Sequence, residues 1–322
     1  MAYVDLNLLE FQKRFATEEA CEQAILEARW PRGFVCPHCG HNDGNRISTR
    51  RAVQCCLCRR QTSITSNTLF HKSKTPLVLW FLIIFFVAHD KGGASALRLS
   101  KQLGMHYTTV WFIIQKIRFA MGHRDENLTL AGYIEMDEAF FGGRNRSKGK
   151  PLPKGQRKPP SHNKKQVLVL VESEGKQAGN LVMKVIDDDT YEDLKPVLET
   201  KIESEPGGQW FKADGWGSHH VVVGLGHRIE MGPIPIAALD TELRCLSLAV
   251  KHAKEFLKGT FHHFCKTHIQ RYLDEFCYRW NRRHLERQLA SHLIAACVLH
   301  DAVSYRLIPA PHPKDDAVPL AA

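Results

Sequence analysis

With 322 residues, 43% of them hydrophobic, the chain can bury a substantial core and has room for two or three domains. Its 44 Lys and Arg against 34 Asp and Glu leave a net charge of +10, the footprint of a polyanion binder, with nucleic acid as the leading partner. The longest apolar run, PLVLWFLIIFFVA at residues 76 to 88, is too short to span a bilayer and reads as a buried core helix.

The N-terminus carries acidic residues and no basic segment ahead of an apolar one, so the reading is a cytoplasmic chain with no secretory signal. In that reducing compartment the ten cysteines are thiols or metal ligands rather than disulfides. Within residues 1 to 30, Leu9, Phe11, Phe15, Cys21, Ala24, Ile25 and Trp30 recur at roughly helical spacings around the cap-like Thr17, which predicts two short helices.

Residues 31 to 70 have the composition of a small metal-stapled module, with strand-like pieces RAVQC and RQTSIT. Cys36-Pro-His-Cys39 and Cys55-Cys56-Leu-Cys58 form two C-x2-C knuckles separated by fifteen residues. Thiolates of Cys36, Cys39, Cys55 and Cys58 at that spacing converge as a tetrahedron on zinc, whose binding replaces the core that so small a module lacks. Four protein ligands leave no open position for water, so this zinc is structural. Arg50, Arg51, Arg59 and Arg60 flank the second knuckle on a ribbon that suits phosphate contact.

Residues 71 to 125 read as helical, with a break at Gly104 between SALRLSKQLGM and HYTTVWFIIQKIRFAMG. His106, Tyr107, Thr108 and Thr109 open the second of these helices, where a helix-turn-helix reads base edges; an ordinary helical hairpin satisfies the same pattern. From 131 the pattern changes to strands, YIEMDEAFFGG, QVLVLVESE, NLVMKVID and QWFKADGW, with the helix-like TYEDLKPVLETKIES ahead of the last. The stretch 144 to 165 holds nine Lys or Arg, four Pro and no acid, and reads as an exposed loop, either merely solvated or in contact with phosphate backbone. Residues 239 to 300 return to helix, and PAPHPKDDAVPLAA has the composition of a disordered tail.

Alternation in YIEMDEAFF puts Glu135 and Asp137 on one side of a strand and Glu138 on the other. A carboxylate buried there costs several kcal/mol unless a base or a cation pairs with it. Asp214 ends a second such strand and is followed at once by Gly215. For either Asp alone a salt-bridged strand end is the plainer reading. Two strands of one sheet can bring the pair together, and two Mg2+ ions then remove their repulsion and serve phosphoryl transfer. Glu135 and Glu138 are expected to tolerate change better.

The ribbon CPHC with CCLC, the strand IEMDEAFFGG, the strand end ADGW and the segment KEFLKGTFHHFCKTHIQRYLDEFCYRWNRR at 254 to 283 resemble a bacterial insertion-sequence transposase of the zinc-ribbon type, over about residues 20 to 285. The resemblance implies an α/β fold class, with a ribonuclease-H-like DDE catalytic domain at 126–290 behind an N-terminal helical segment (1–30), the ribbon (31–70) and a helix-turn-helix-like region (71–125), and ahead of a C-terminal tail (291–322). It implies an enzyme that binds double-stranded DNA at the terminal inverted repeats of its element, and target DNA, and cleaves and transfers strands with two Mg2+ ions. It also implies a homo-oligomer on DNA, in the cytoplasm at the bacterial nucleoid, with no membrane partner. Asp137 and Asp214 match the family's first and second catalytic Asp, and Lys254 the basic residue that closes its third motif.

Seven residues before that lysine, where the family carries Glu, Asn or His, stands Ser247, a poor metal ligand. In a helix from about 239 to 258, Leu239, Leu243, Leu246, Val250, Ala253 and Leu257 share the core stripe, and Ser247, Lys251, Lys254 and Lys258 form the stripe beside it. Glu242, His252 and Glu255 lie off that stripe and replace Ser247 only after a register shift. A weakened enzyme, or a DNA-binding protein without cleavage activity on the same scaffold, is the alternative reading.

Overall fold

A computed structural model of the chain describes residues 6–142, 164–175, 177–205, 207–214, 217–235, 238–261, 266–285, 287–304 and 307–308. Most of the basic stretch 144–165, and the tail from 309 on, lie outside the described residues. These divide into two compact units: one runs up to His123 and resumes at Arg282, and the other runs from Arg124 to Asn281.

The first unit opens with α1 (Leu8–Arg14), whose Asn7 and Glu10 form a reciprocal capping box, and α2 (Glu18–Arg29), capped by Thr17. Three short antiparallel strands follow, β1 (Gly44–Ile47), β2 (Ala52–Cys55) and β3 (Gln61–Ser63), with β2 in the middle. The apolar run becomes α3 (Leu77–His89), which is hydrophobic all round and buried accordingly. Its Phe85 and Phe81 pack on Phe11 and Phe15 at 4.7 and 4.9 Å between ring centroids. Next come α4 (Ala96–Leu103) and α5 (Tyr107–Arg124), joined through Gly104 in the left-handed region at φ 62°.

The helical pattern read as far as residue 300 closes with Leu289–Leu299, α11 in chain order, which runs past the 291 boundary drawn for the tail. Leu289, Leu293, Ile294, Cys297 and Val298 are buried in it, it packs on α2 and α3, and the Leu69 amide donates to the Cys297 carbonyl at 3.0 Å. Its apolar side chains would cost too much in water for the segment to remain free.

The second unit is a five-stranded mixed sheet built from β4 (Tyr133–Gly142), β5 (Lys164–Glu174), β6 (Gln177–Ile186), β7 (Trp210–Asp214) and β8 (Arg228–Gly232), in the order β6-β5-β4-β7-β8. β4, β5 and β6 form an antiparallel meander, and β7 and β8 run parallel to β4. This is the ribonuclease-H-like arrangement. The helix α6 (Tyr191–Lys201) and the short α7 (Val221–Gly224) cover the face bearing Ile134, Met136, Leu168 and Leu170. Ala139, Phe141, Val167 and Val169 point to the other face, under α9 (Arg244–Thr260) and α10 (Ile269–Asn281). Burial on both faces explains why β5 reads as an unbroken apolar run.

Two features were not foreseen. The edge strand β8 carries too short and mixed a pattern to announce itself. The helix expected from 239 to 258 is split at Leu243 into α8 (Leu239–Glu242) and α9. At the break the buried Glu135 carboxylate accepts the Leu246 amide at 2.8 Å, satisfying one of the orphan donors at the start of α9.

The outer edge of β6 is closed by side chains of α10. Gln270 accepts from the Val185 amide at 2.7 Å and donates to the Met183 carbonyl at 3.0 Å. Asn281 repeats the pattern on Leu181 at 2.8 and 3.0 Å, and the Trp280 indole donates to the Gly179 carbonyl at 3.0 Å. These residues belong to the C-terminal segment singled out in the sequence, and their work is to satisfy a sheet edge. Asn281→Ala leaves a buried donor and acceptor unmatched, so it is expected to cost about 2–4 kcal/mol in urea unfolding of the second unit. A loss below about 0.5 kcal/mol would show that water serves that edge equally well.

Candidate functional site

The four knuckle cysteines converge as the spacing predicts, with all their sulfurs within 4.8 Å of one another. Cys36 and Cys58 are 3.7 Å apart and Cys39 and Cys55 3.6 Å. A disulfide requires about 2.05 Å, whereas a zinc tetrahedron with bonds of about 2.3 Å has sulfur–sulfur edges of roughly 3.8 Å. The donor set and its size therefore fit structural zinc. Each knuckle closes with an amide donating back to its first cysteine, Gly40 to Cys36 at 2.9 Å and Arg59 to Cys55 at 3.1 Å. Both closing residues are left-handed, at φ 73° and 59°, so an arginine occupies the position that favours glycine.

The arginines chosen as DNA contacts separate into two groups. Arg51 is spent on α2, at 3.2 Å from Glu18 and 2.9 Å from Glu22, where with Arg46 on Glu22 it clamps the ribbon to the helix. Arg50 reaches Gln61, Arg60 reaches His38 at 3.0 Å, and Arg59 and Arg60 are exposed beside the knuckle. His106 is exposed at the start of α5, where its ring nitrogen accepts the Thr108 amide at 3.3 Å. Tyr107, Thr108 and Thr109 follow half-buried, and from Val110 onward the helix sinks into the core. The first turn of α5 is thus presented, as are His123 and Arg124 at its far end.

β4 and β7 pair in parallel up to Met136 opposite Ala213, so one step further Asp137 and Asp214 stand side by side. Both are half-buried. Burial, then the charges of Asp214 and Glu138, push the Asp137 carboxyl up to about 7, although the Glu138 amide donates to its Oδ1 at 2.8 Å. These hard carboxylate oxygens with excess negative charge fit a divalent cation such as Mg2+. Lys254 lies near Asp137 with its ammonium 5.8 Å from the Phe141 ring centre. Burial and then the like charges of Lys164 and Lys258 lower its pKa, against the pull of Asp137.

Ser247 does not join the carboxylates through its hydroxyl, which donates to the Leu239 carbonyl at 3.3 Å. Nor do the candidates beside it take its place: Glu242 pairs with Lys212 at 2.5 Å, and His252 is exposed with its ring 6.0 Å from Trp280.

Glu138 and His219 were missed as site residues. The Glu138 carboxylate lies 3.0 Å from His219 Nε2, and His219 Nδ1 lies 3.3 Å from the Asp214 carbonyl and 3.4 Å from its Oδ1. Burial opposes the charged imidazolium, but the hydrogen bond and charge of Glu138, with Asp214, outweigh it and raise the His219 pKa. Asp189, after β6, feels burial, Asp188 and Glu138, and its carboxyl is raised as well. Alternation placed Glu138 on the far face, which hid it; the only signal for His219 was a histidine five residues beyond a strand-tip aspartate.

Fold and site together define a class: a ribonuclease-H-like unit with paired aspartates on neighbouring strands, joined in one chain to a four-cysteine ribbon. Residues 129–281 match the ISXO2-like transposase domain, and residues 16–61 match the transposase zinc-ribbon domain. The chain belongs to the zinc-ribbon insertion-sequence transposases. A protein of Halobacterium salinarum described as lying in the transposable element ISH50 is 26% identical over 131 residues, 40% of this chain and 43% of that protein. The match thus spans less than half the length of that relative. Among solved structures, a pre-cleavage Mos1 transpososome is 13% identical over 64% of this chain and 75% of that one, with a TM-score of 0.25. A Mos1 strand transfer complex is 11% identical over 65% and 75%, with a TM-score of 0.27. Resemblances this faint carry no weight here. No helix among the described residues is long and apolar enough to cross a membrane.

Protein purified under reducing conditions is expected to carry one zinc per chain. Cys55→Ser should lose it and melt residues 31–70 while the circular dichroism of the second unit survives. Zinc-free protein with a folded ribbon would contradict this.

Proposed function

We propose that the chain is a DNA transposase that binds the terminal inverted repeats of its element as a homo-oligomer and carries out strand cleavage and strand transfer with two Mg2+ ions at Asp137 and Asp214. The observation that carries this reading is the side-by-side placement of the two aspartates, with Asp137 raised to about 7 by burial and by the charges of Asp214 and Glu138. Asp137 and Asp214 would hold the Mg2+, which would supply activation of a water or a 3′-hydroxyl and stabilisation of the leaving oxygen of a phosphodiester.

The protein's own groups divide the remaining work. Lys254, with Lys164 and Lys258 near enough to lower its pKa, supplies positive charge beside the pair to hold a DNA phosphate. Arg50, Arg59 and Arg60 contact the backbone from the ribbon, and His106 to Thr109 at the start of α5 read base edges. The net charge of +10 makes binding salt-dependent through counterion release. Binding belongs to the intact chain, because α11 completes the unit that carries the ribbon and α5.

A weakened enzyme is the second reading, favoured by Ser247, whose hydroxyl is committed to the Leu239 carbonyl. One assay addresses both, using end-labelled repeat DNA with Mg2+. Asp137→Asn and Asp214→Asn are expected to lower cleavage by at least about 100-fold, or about 2.7 kcal/mol of barrier, with DNA affinity unchanged. Ser247→Glu should raise cleavage. Cleavage that survives either Asp substitution would move the chemistry elsewhere.

The raised pKa of Asp137 also fixes a pH dependence. Its folded pKa of about 7 lies above the ordinary carboxylate value of 3.8, so the metal-free fold gains stability when this group is protonated and loses it as pH rises to about 7. A cation competes with that proton. The rise in Tm on adding Mg2+ is therefore expected to grow between about pH 6 and about pH 8, and Asp137→Asn should abolish the growth. A shift that does not change with pH would mean that Asp137 is not where the cation binds.

A further inference from the structure

The residue that organises both aspartates is neither of them. We propose that Glu138 and His219 are positioning residues that fix the two aspartates relative to each other, Glu138 by its amide on the Asp137 carboxylate and, through the imidazole of His219, by its side chain on the backbone of Asp214. The proposal rests on the metal-dependent reading above.

Three observations carry it. First, the contacts form one continuous chain: Glu138 N–H to Asp137 Oδ1 at 2.8 Å, Glu138 Oε1 to His219 Nε2 at 3.0 Å, and His219 Nδ1 to the Asp214 carbonyl at 3.3 Å and Oδ1 at 3.4 Å. Secondly, the link is dry, with no exposure at the His219 side chain and 7% at that of Glu138. The ring lies between the Glu138 carboxylate and the Asp214 carbonyl, and a buried ring so placed is costly unless its polar atoms are met. Thirdly, β7 ends at Asp214 and the chain is already in a 3₁₀ turn at Gly217–His220, so neighbouring strands hold Asp214 on one side only. A strand tip paired on one side is free to shift, and His219 reaches back to hold its backbone at the Asp214 carbonyl, with Oδ1 3.4 Å from the same ring nitrogen.

Groups that orient a metal-binding carboxylate typically contribute 10–100-fold to metal affinity. Substitution at either position therefore reads out in binding of the bare ion, before any DNA is added.

The experiment is titration of the full-length protein with Mn2+, followed by electron paramagnetic resonance, for wild type, His219→Ala, His219→Asn and Glu138→Gln. His219→Ala and Glu138→Gln are expected to weaken Mn2+ binding by about 10–100-fold while circular dichroism stays unchanged. His219→Asn, which can still reach Asp214, should recover part of the loss. In metal-free wild type, nitrogen-edited spectra should show a slowly exchanging ring proton for His219. That signature keeps the proposal testable even where a variant fails to fold. Folded His219→Ala and Glu138→Gln that bind Mn2+ within about twofold of wild type, or a His219 ring with no protected proton, would overturn it. Wild type that binds no Mn2+ at all would instead overturn the metal-dependent reading, and this proposal with it.

Discussion

Two carboxylates that repel each other are held side by side on parallel strands, and the second unit is organised around keeping them there. In water, Asp137 and Asp214 would move apart. In the sheet they cannot, because β4 is paired with β5 on one side and with β7 on the other. A slip of one residue in the β4–β7 register would send one aspartate to the opposite face and expose the apolar side chains of the strand. The hydrophobic layers on both faces therefore hold a charge arrangement that the charges themselves oppose.

The helices serve the same end by polar means. Glu135, two residues before Asp137 on the same face, anchors the start of α9 through the Leu246 amide, so the helix that carries Lys254 is registered to the strand that carries Asp137. At the far edge, Gln270, Trp280 and Asn281 of α10 bind the backbone of β6. A net hydrogen bond contributes only about 1 kcal/mol, but an unmet buried group costs about 1–3 kcal/mol, so these bonds matter chiefly for what their loss would leave behind. Glu135 and Glu138, which sequence alone cast as tolerant, are both committed within the structure.

Much of this could be read from the sequence, for physical reasons that differ by element. The zinc ribbon was legible because metal geometry constrains cysteine spacing directly. The strands β4 to β7 were legible through alternation, or through continuous apolar runs where both faces are buried. Asp137 and Asp214 stood out because carboxylates in apolar strands are costly. What escaped depended on contacts distant in sequence. Just past the split at Leu243, the Leu246 amide is met by a carboxylate 111 residues away. Glu138 and His219 are 81 residues apart and neither has a local pattern to announce the pairing. α11 was legible as helix from its apolar pattern, but not the core of the first unit that it fills, because that packing joins it to α2 and α3 far back in the chain.

The central claim is that the aspartate pair is a cation site, and anomalous diffraction from crystals grown with Mn2+ and a repeat-end DNA tests it most directly. The account predicts Mn2+ peaks at about 2.0–2.3 Å from carboxylate oxygens of both Asp137 and Asp214, with none when either is changed to Asn. Well-ordered crystals at saturating Mn2+, with no peak between those two residues, would contradict it.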